Sequence, residues 1–120
     1  MRDHTQLRAF QLADELALVV YAITKDFPRF ETYGLAAQMR RAAVSVPSNI
    51  VEGCARETEK EYVRFLDMAF SSLRQLHYQF SLAYRLGYIE SKSAEAHVQR
   101  TDKVLCSLIR SRRARWKSQQ

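Results

Sequence analysis

The sequence predicts an all-α protein, an up-and-down antiparallel four-helix bundle with a kinked second helix. Three observations point there. Glycine and proline are scarce, three and two in 120 residues, and Pro28, Gly34, Gly53 and Gly87 fall where segments meet. No segment alternates with the two-residue period of a half-buried strand, while apolar spacings of three and four recur throughout. Tyr62, Leu66, Ala69, Leu73, Leu76, Phe80, Ala83 and Gly87 step by 4, 3, 4, 3, 4, 3 and 4, the heptad seam that an antiparallel bundle buries. Residues 1–120 are read as a single domain with a basic C-terminal end at 110–120. A chain of this length buries about two-thirds of its unfolded surface, so it needs neither metal nor disulfide for stability. Cys54 and Cys106 are therefore expected as reduced thiols.

The first helix is expected from about residue 5 to Asp26. Phe10, Ala13, Ala17, Val20, Thr24 and Phe27 make one stripe, and Leu12, Leu16, Val19 and Ile23 make a second beside it. So broad an apolar arc calls for more than one neighbour. The third helix opens at Thr58, with Glu61 three positions on as a capping pair, and stops at Gly87 in a left-handed conformation. From 58 to 86 it would be about 43 Å long. The fourth starts near Ser91 or Ser93 and turns Val98, Leu105, Leu108 and Ile109 inward.

The second helix has three sides. Met39, Ala42, Ala43, Val46, Ile50 and Gly53 share a core face. Gln38, Arg41, Ser45, Ser48, Asn49, Glu52 and Arg56 form a polar stripe, and Arg40, Val44, Pro47 and Val51 form a mostly apolar third strip. Pro47 removes the hydrogen bond to the Ala43 carbonyl and is expected to kink the helix, with Ser45 bonding the freed backbone groups. The polar stripe has a plain reading as a solvated face. Its sharper reading makes Ser45, Ser48, Asn49 and Glu52, with Pro47 beside them, a polar network at a helix or subunit interface, or a ligand contact. The two apolar strips of this helix and the second stripe of the first exceed what a lone bundle can cover and predict a homo-oligomer, with Leu12, Val19, Val44, Pro47 and Val51 contributing.

No catalytic residues emerge. Glu52 is the stripe's sole carboxylate, and His4, His77 and His97 lack ligand partners at helical spacing, so no metal or cofactor is expected. No glycine-rich phosphate loop or nucleophile elbow is present. The opening MRDHTQLRAF does not read as a signal peptide, and the longest apolar run, LALVVYAI, is too short to cross a membrane. A cytoplasmic protein with no membrane contact is the expectation.

Charge is the more informative signal. Residues 1–60 carry eight basic and eight acidic side chains, whereas 61–120 carry eleven and five, which accounts for the whole +6. Arg110, Arg112, Arg113, Arg115 and Lys117 crowd into RSRRARWKSQQ, and no acid follows Asp102. Cations in a last helical turn suit the helix dipole, yet five in eight residues exceed that need. Arginine favours bidentate phosphate contact, and Trp116 adds a stacking face. These six residues, then Arg40 and Arg41, are the candidates for binding RNA or DNA. A solubilising tail and an acidic protein partner are the alternatives.

The run YGLAAQMRRAAVSVPSNIVEG at 33–53, with DFPRFET before it and EYVRFLDMAFSSLRQLHYQFSLAYRLGYI after it, resembles a known family. It is similar to the bacterial four-helix-bundle proteins encoded within intervening sequences of large-subunit ribosomal RNA genes. Their related branch is the accessory variability determinant of diversity-generating retroelements. Those relatives form five-membered rings and bind nucleic acid and a reverse transcriptase. The resemblance implies an all-α bundle, a homo-oligomer that is a pentamer, a nucleic-acid ligand and, for the related branch, a reverse transcriptase partner. It supplies no catalytic residue. Val51, where the family more often has alanine, and Cys54 after the Glu-Gly pair depart from the pattern.

Overall fold

The computed structural model describes residues 2–120. Four helices follow one another: α1 (Arg8–Thr24), α2 (Leu35–Cys54), α3 (Glu59–Arg85) and α4 (Ser93–Ser118). Single 3-10 turns at His4–Gln6 and Arg29–Glu31 precede α1 and α2. Each helix packs on its neighbours in sequence, and α4 closes back onto α1. The result is an up-and-down four-helix bundle measuring 50 × 22 × 21 Å.

The heptad seam is the spine of the core. Tyr62, Leu66, Ala69, Leu73, Leu76, Phe80 and Ala83 are all buried and meet Leu16, Val20, Met39, Val46, Ile50, Val98 and Leu105. Full burial of a side chain such as Leu or Phe contributes roughly 1.5–3 kcal/mol. The predicted ends of α3 hold. The Thr58 hydroxyl accepts from the Glu61 amide at 3.1 Å. Gly87 has φ +82°, which lets the Tyr88 amide reach back to the Ala83 carbonyl at 2.9 Å.

Other local devices differ from expectation. The chain before α1 is a 3-10 turn capped by Asp3, so α1 begins at Arg8. The start of α2 is capped by Glu31, whose Oε1 accepts from the Leu35 amide at 3.0 Å while Tyr88 donates to Oε2 at 2.9 Å. Thr101, which periodicity alone leaves out, is buried because its hydroxyl donates to the His97 carbonyl at 2.9 Å. Pro47 lies within α2, but Ser45 Oγ bonds Ser72 and Asn49 rather than the backbone that the proline leaves free. Leu12 is 2% exposed within the single chain and leaves the set of interface candidates. The large apolar side chains of α1 left exposed are Leu18 and Tyr21, with Tyr21 beside the edge of the first stripe.

Candidate nucleic-acid interface

In this antiparallel arrangement the last turns of α4 lie beside the first turns of α3. The side chains of α4 are buried at Val98, Thr101, Leu105 and Ile109, and none beyond Ile109 is buried. The basic segment thus rides on the surface of α3, where three of its five cations meet acids. Arg113 Nη2 donates to both Asp67 oxygens, at 2.9 and 2.7 Å. Arg112 Nη1 lies 3.5 Å from Glu59 Oε1, and Arg115 Nε lies 3.9 Å from the same oxygen. Arg110 and Lys117 form no ion pair among the described residues, and they line a cavity of about 480 Å³ between α3 and α4 with Phe70, Ile109 and Ala114. Trp116 is partly buried.

The pairing of Arg112 and Arg115 belongs to a larger cluster that charge counting did not reveal. Arg2 donates to Glu59 at 3.1 Å and to the Arg56 carbonyl at 2.7 Å. Its guanidinium stands 4.1 Å from the Tyr62 ring centre, with Arg112 at 5.7 Å from the same ring. Burial pushes the Tyr62 phenol and the neighbouring Cys54 thiol to higher pKa, while Arg2 and Arg112 pull weakly the other way.

The remaining candidates lie elsewhere. Arg40 Nε donates to Thr24 Oγ1 at 2.8 Å and stands over the Tyr21 ring, which ties α2 to α1. Arg41 is exposed beside a polar cavity of about 280 Å³ shared with Gln38, Ser45, Ser72 and Gln75. The polar stripe divides in two. Asn49 Nδ2 donates to the Ser45 carbonyl at 2.9 Å and to Ser45 Oγ at 3.0 Å, and Ser45 Oγ lies 2.8 Å from Ser72 Oγ on α3. Ser48 is exposed, and Glu52 pairs with Arg56 at the surface. Among the described residues no group of three His, Cys, Asp or Glu is placed to hold a metal, and no helix is long and apolar enough to cross a membrane.

These features define a small all-α bundle with a cationic end. The chain belongs to the 23S rRNA-intervening sequence protein family, whose sequence model matches residues 5–110. A search of the curated proteins finds no significant match. Among solved structures, it resembles a protein of unknown function from the S23 ribosomal protein family of Bacteroides thetaiotaomicron VPI-5482. The two are 20% identical with a TM-score of 0.78, over 85% of this chain and 95% of the other. That likeness supports the four-helix fold.

Proposed function

We propose that the protein is a non-catalytic nucleic-acid-binding scaffold that works as a homo-oligomer. The carrying observation is the surface of α4, where Arg110 and Lys117 form no ion pair among the described residues while Glu59 and Asp67 engage Arg112, Arg113 and Arg115. Fixed guanidinium groups beside free cations suit a phosphate backbone, since less side-chain freedom is lost on contact. Membership of a family named for an intervening sequence of 23S rRNA supports RNA as the ligand.

Assembly is supported by an apolar strip on α2 and α1. Leu18 is 68% exposed and Tyr21 46%, and Arg40 bridges Tyr21 to the strip that continues through Val44, Pro47 and Val51. A second copy is the occupant we propose, in a ring of five as the family resemblance implies. Light scattering tests this directly, and a parent protein that stays monomeric at micromolar concentration overturns it.

The binding test titrates the purified protein with structured RNA and duplex DNA across a salt series. Affinity is expected to fall with a log–log slope of about −0.9 per duplex phosphate contacted. Failure to bind either polymer at low salt leaves a protein-interaction oligomer as the reading, with the basic end incidental. A gene beside a reverse transcriptase and a template repeat favours the retroelement role; a gene inside a ribosomal RNA gene favours the intervening-sequence role.

A further inference from the structure

We propose that the cleft between the chain's first residues, the α2–α3 connection and the end of α4 is a phosphate-binding site. The strand that would supply its phosphate in the cell rests on the function proposed above, but the site is tested apart from it. The cleft encloses about 710 Å³ and is lined by Arg2, Arg56, Arg112 and Arg115 against Glu57 and Glu59. Four guanidinium groups thus face two carboxylates.

The hydrogen bonding inside the cleft is also incomplete. The Glu59 side chain is only 10% exposed, and a single oxygen of it serves Arg2, Arg112 and Arg115 at 3.1, 3.5 and 3.9 Å. Each guanidinium carries five N–H donors in a planar fork, so three of them on one oxygen leave most donors unused. Arg112 Nε is buried with no acceptor among the described residues, and Glu59 Oε2 is buried there with no donor. Clustered cations in a partly buried site repel one another, and an anion that brings several acceptor oxygens relieves both deficits. A phosphate group fits, since its oxygens match the guanidinium fork.

The site is also held in shape before any ligand arrives. Tyr62 lies between Arg2 and Arg112, and Arg2 is bonded to the Arg56 carbonyl. The cleft opens on the first turn of α3, where the Glu59 and Lys60 amides point away from the helix and Thr58 caps only the Glu61 amide. Arg56, which also pairs with Glu52, and Arg115 are the more exposed members, at 41% and 61%. Glu59 is a positioning residue here. It gathers the arginines but would not itself touch the anion.

Pyrophosphate, and RNA oligonucleotides alike in sequence but ending in a 5′-phosphate or a 5′-hydroxyl, are the probes, titrated into the full chain at low salt. The test variant carries Arg56→Gln and Arg115→Gln, both at exposed side chains. A control carries Arg8→Gln and Arg29→Gln, exposed and outside the cleft. Pyrophosphate is expected to saturate the parent and the control and to bind the cleft variant about tenfold more weakly, in keeping with the loss of charged hydrogen bonds. A similar loss confined to the phosphorylated RNA assigns the site to a strand end; an equal loss on both RNAs assigns it to an internal phosphodiester. Pyrophosphate that fails to saturate the parent, or a cleft variant that binds every probe as the control does, overturns the site. Saturable pyrophosphate without RNA or DNA binding keeps the site and removes the nucleic-acid function. RNA binding that the cleft variant retains in full while pyrophosphate binding weakens keeps the site and places the RNA contact elsewhere on the bundle.

Discussion

Gly53→Ala sets two known effects against each other, and the structure decides the sign. Glycine within a helix costs up to about 1 kcal/mol relative to alanine, so an exposed Gly→Ala change there stabilises. Gly53, however, is buried in the last turn of α2, where that helix meets the start of α3. A Cβ at this position would stand 3.0 Å from the Phe65 Cβ, 3.2 Å from Tyr62 Cδ1 and 3.3 Å from the Tyr62 carbonyl oxygen. Two of those atoms are fixed by the backbone of α3 and yield only if the helix shifts. Overpacking of this kind costs about 1–3 kcal/mol, which exceeds the propensity gain. The expected net effect is a loss of about 1 kcal/mol. It should appear in urea unfolding as a lower midpoint with an unchanged slope. A midpoint that rises, as at an exposed helical glycine, would refute the close α2–α3 approach.

Three further outcomes follow from the same geometry. Asn49→Ala removes both bonds to Ser45 and should cost about 1 kcal/mol; paired with Ser72→Ala it should lose less than the sum, and a change within about 0.5 kcal/mol would return the stripe to a solvated face. Gly87→Ala forces φ +82° on a residue with a Cβ and should cost about 1–2 kcal/mol, with no steric gain because nothing lies within 4 Å; equal stability in urea would contradict the left-handed stop. Folding holds the Cys54 thiol neutral by raising its pKa, so that contribution is intact below the thiol's ordinary 9.0 and is lost as pH rises through the raised value. Cys54→Ala should flatten the alkaline decline in unfolding free energy, and an identical decline would assign it to other groups.

How much of this the sequence revealed depends on the range of the interaction. The seam from Tyr62 to Ala83 was legible because one helix states its own period, and the stops at Thr58 and Gly87 because caps are local. The core face of α2 was legible for the same reason. Leu12 was misplaced because a helix with a broad apolar arc does not say which edge its neighbours cover. The basic end was legible as a quantity of charge but not as a set of pairs. Asp67 with Arg113 and Arg74 with Asp102 stand at matching distances from the α3–α4 turn, so antiparallel register was the signal that could have found them. Arg2 carries no such signal. Its place over Tyr62 depends on a 3-10 turn folding the chain's first residues across the bundle end.

The claim that the surface of α4 contacts nucleic acid rests most directly on its two unpaired cations. The measurement is the salt dependence of RNA and duplex DNA affinity for the parent and for Arg110→Gln with Lys117→Gln. Neither substitution breaks an ion pair, so the fold and the oligomer should persist. Each lost phosphate contact removes about 0.9 from the log–log slope on duplex DNA, so the double variant should bind more weakly at low salt and show a slope flatter by roughly two. A double variant with the parent's affinity and slope would place the contact elsewhere on the bundle.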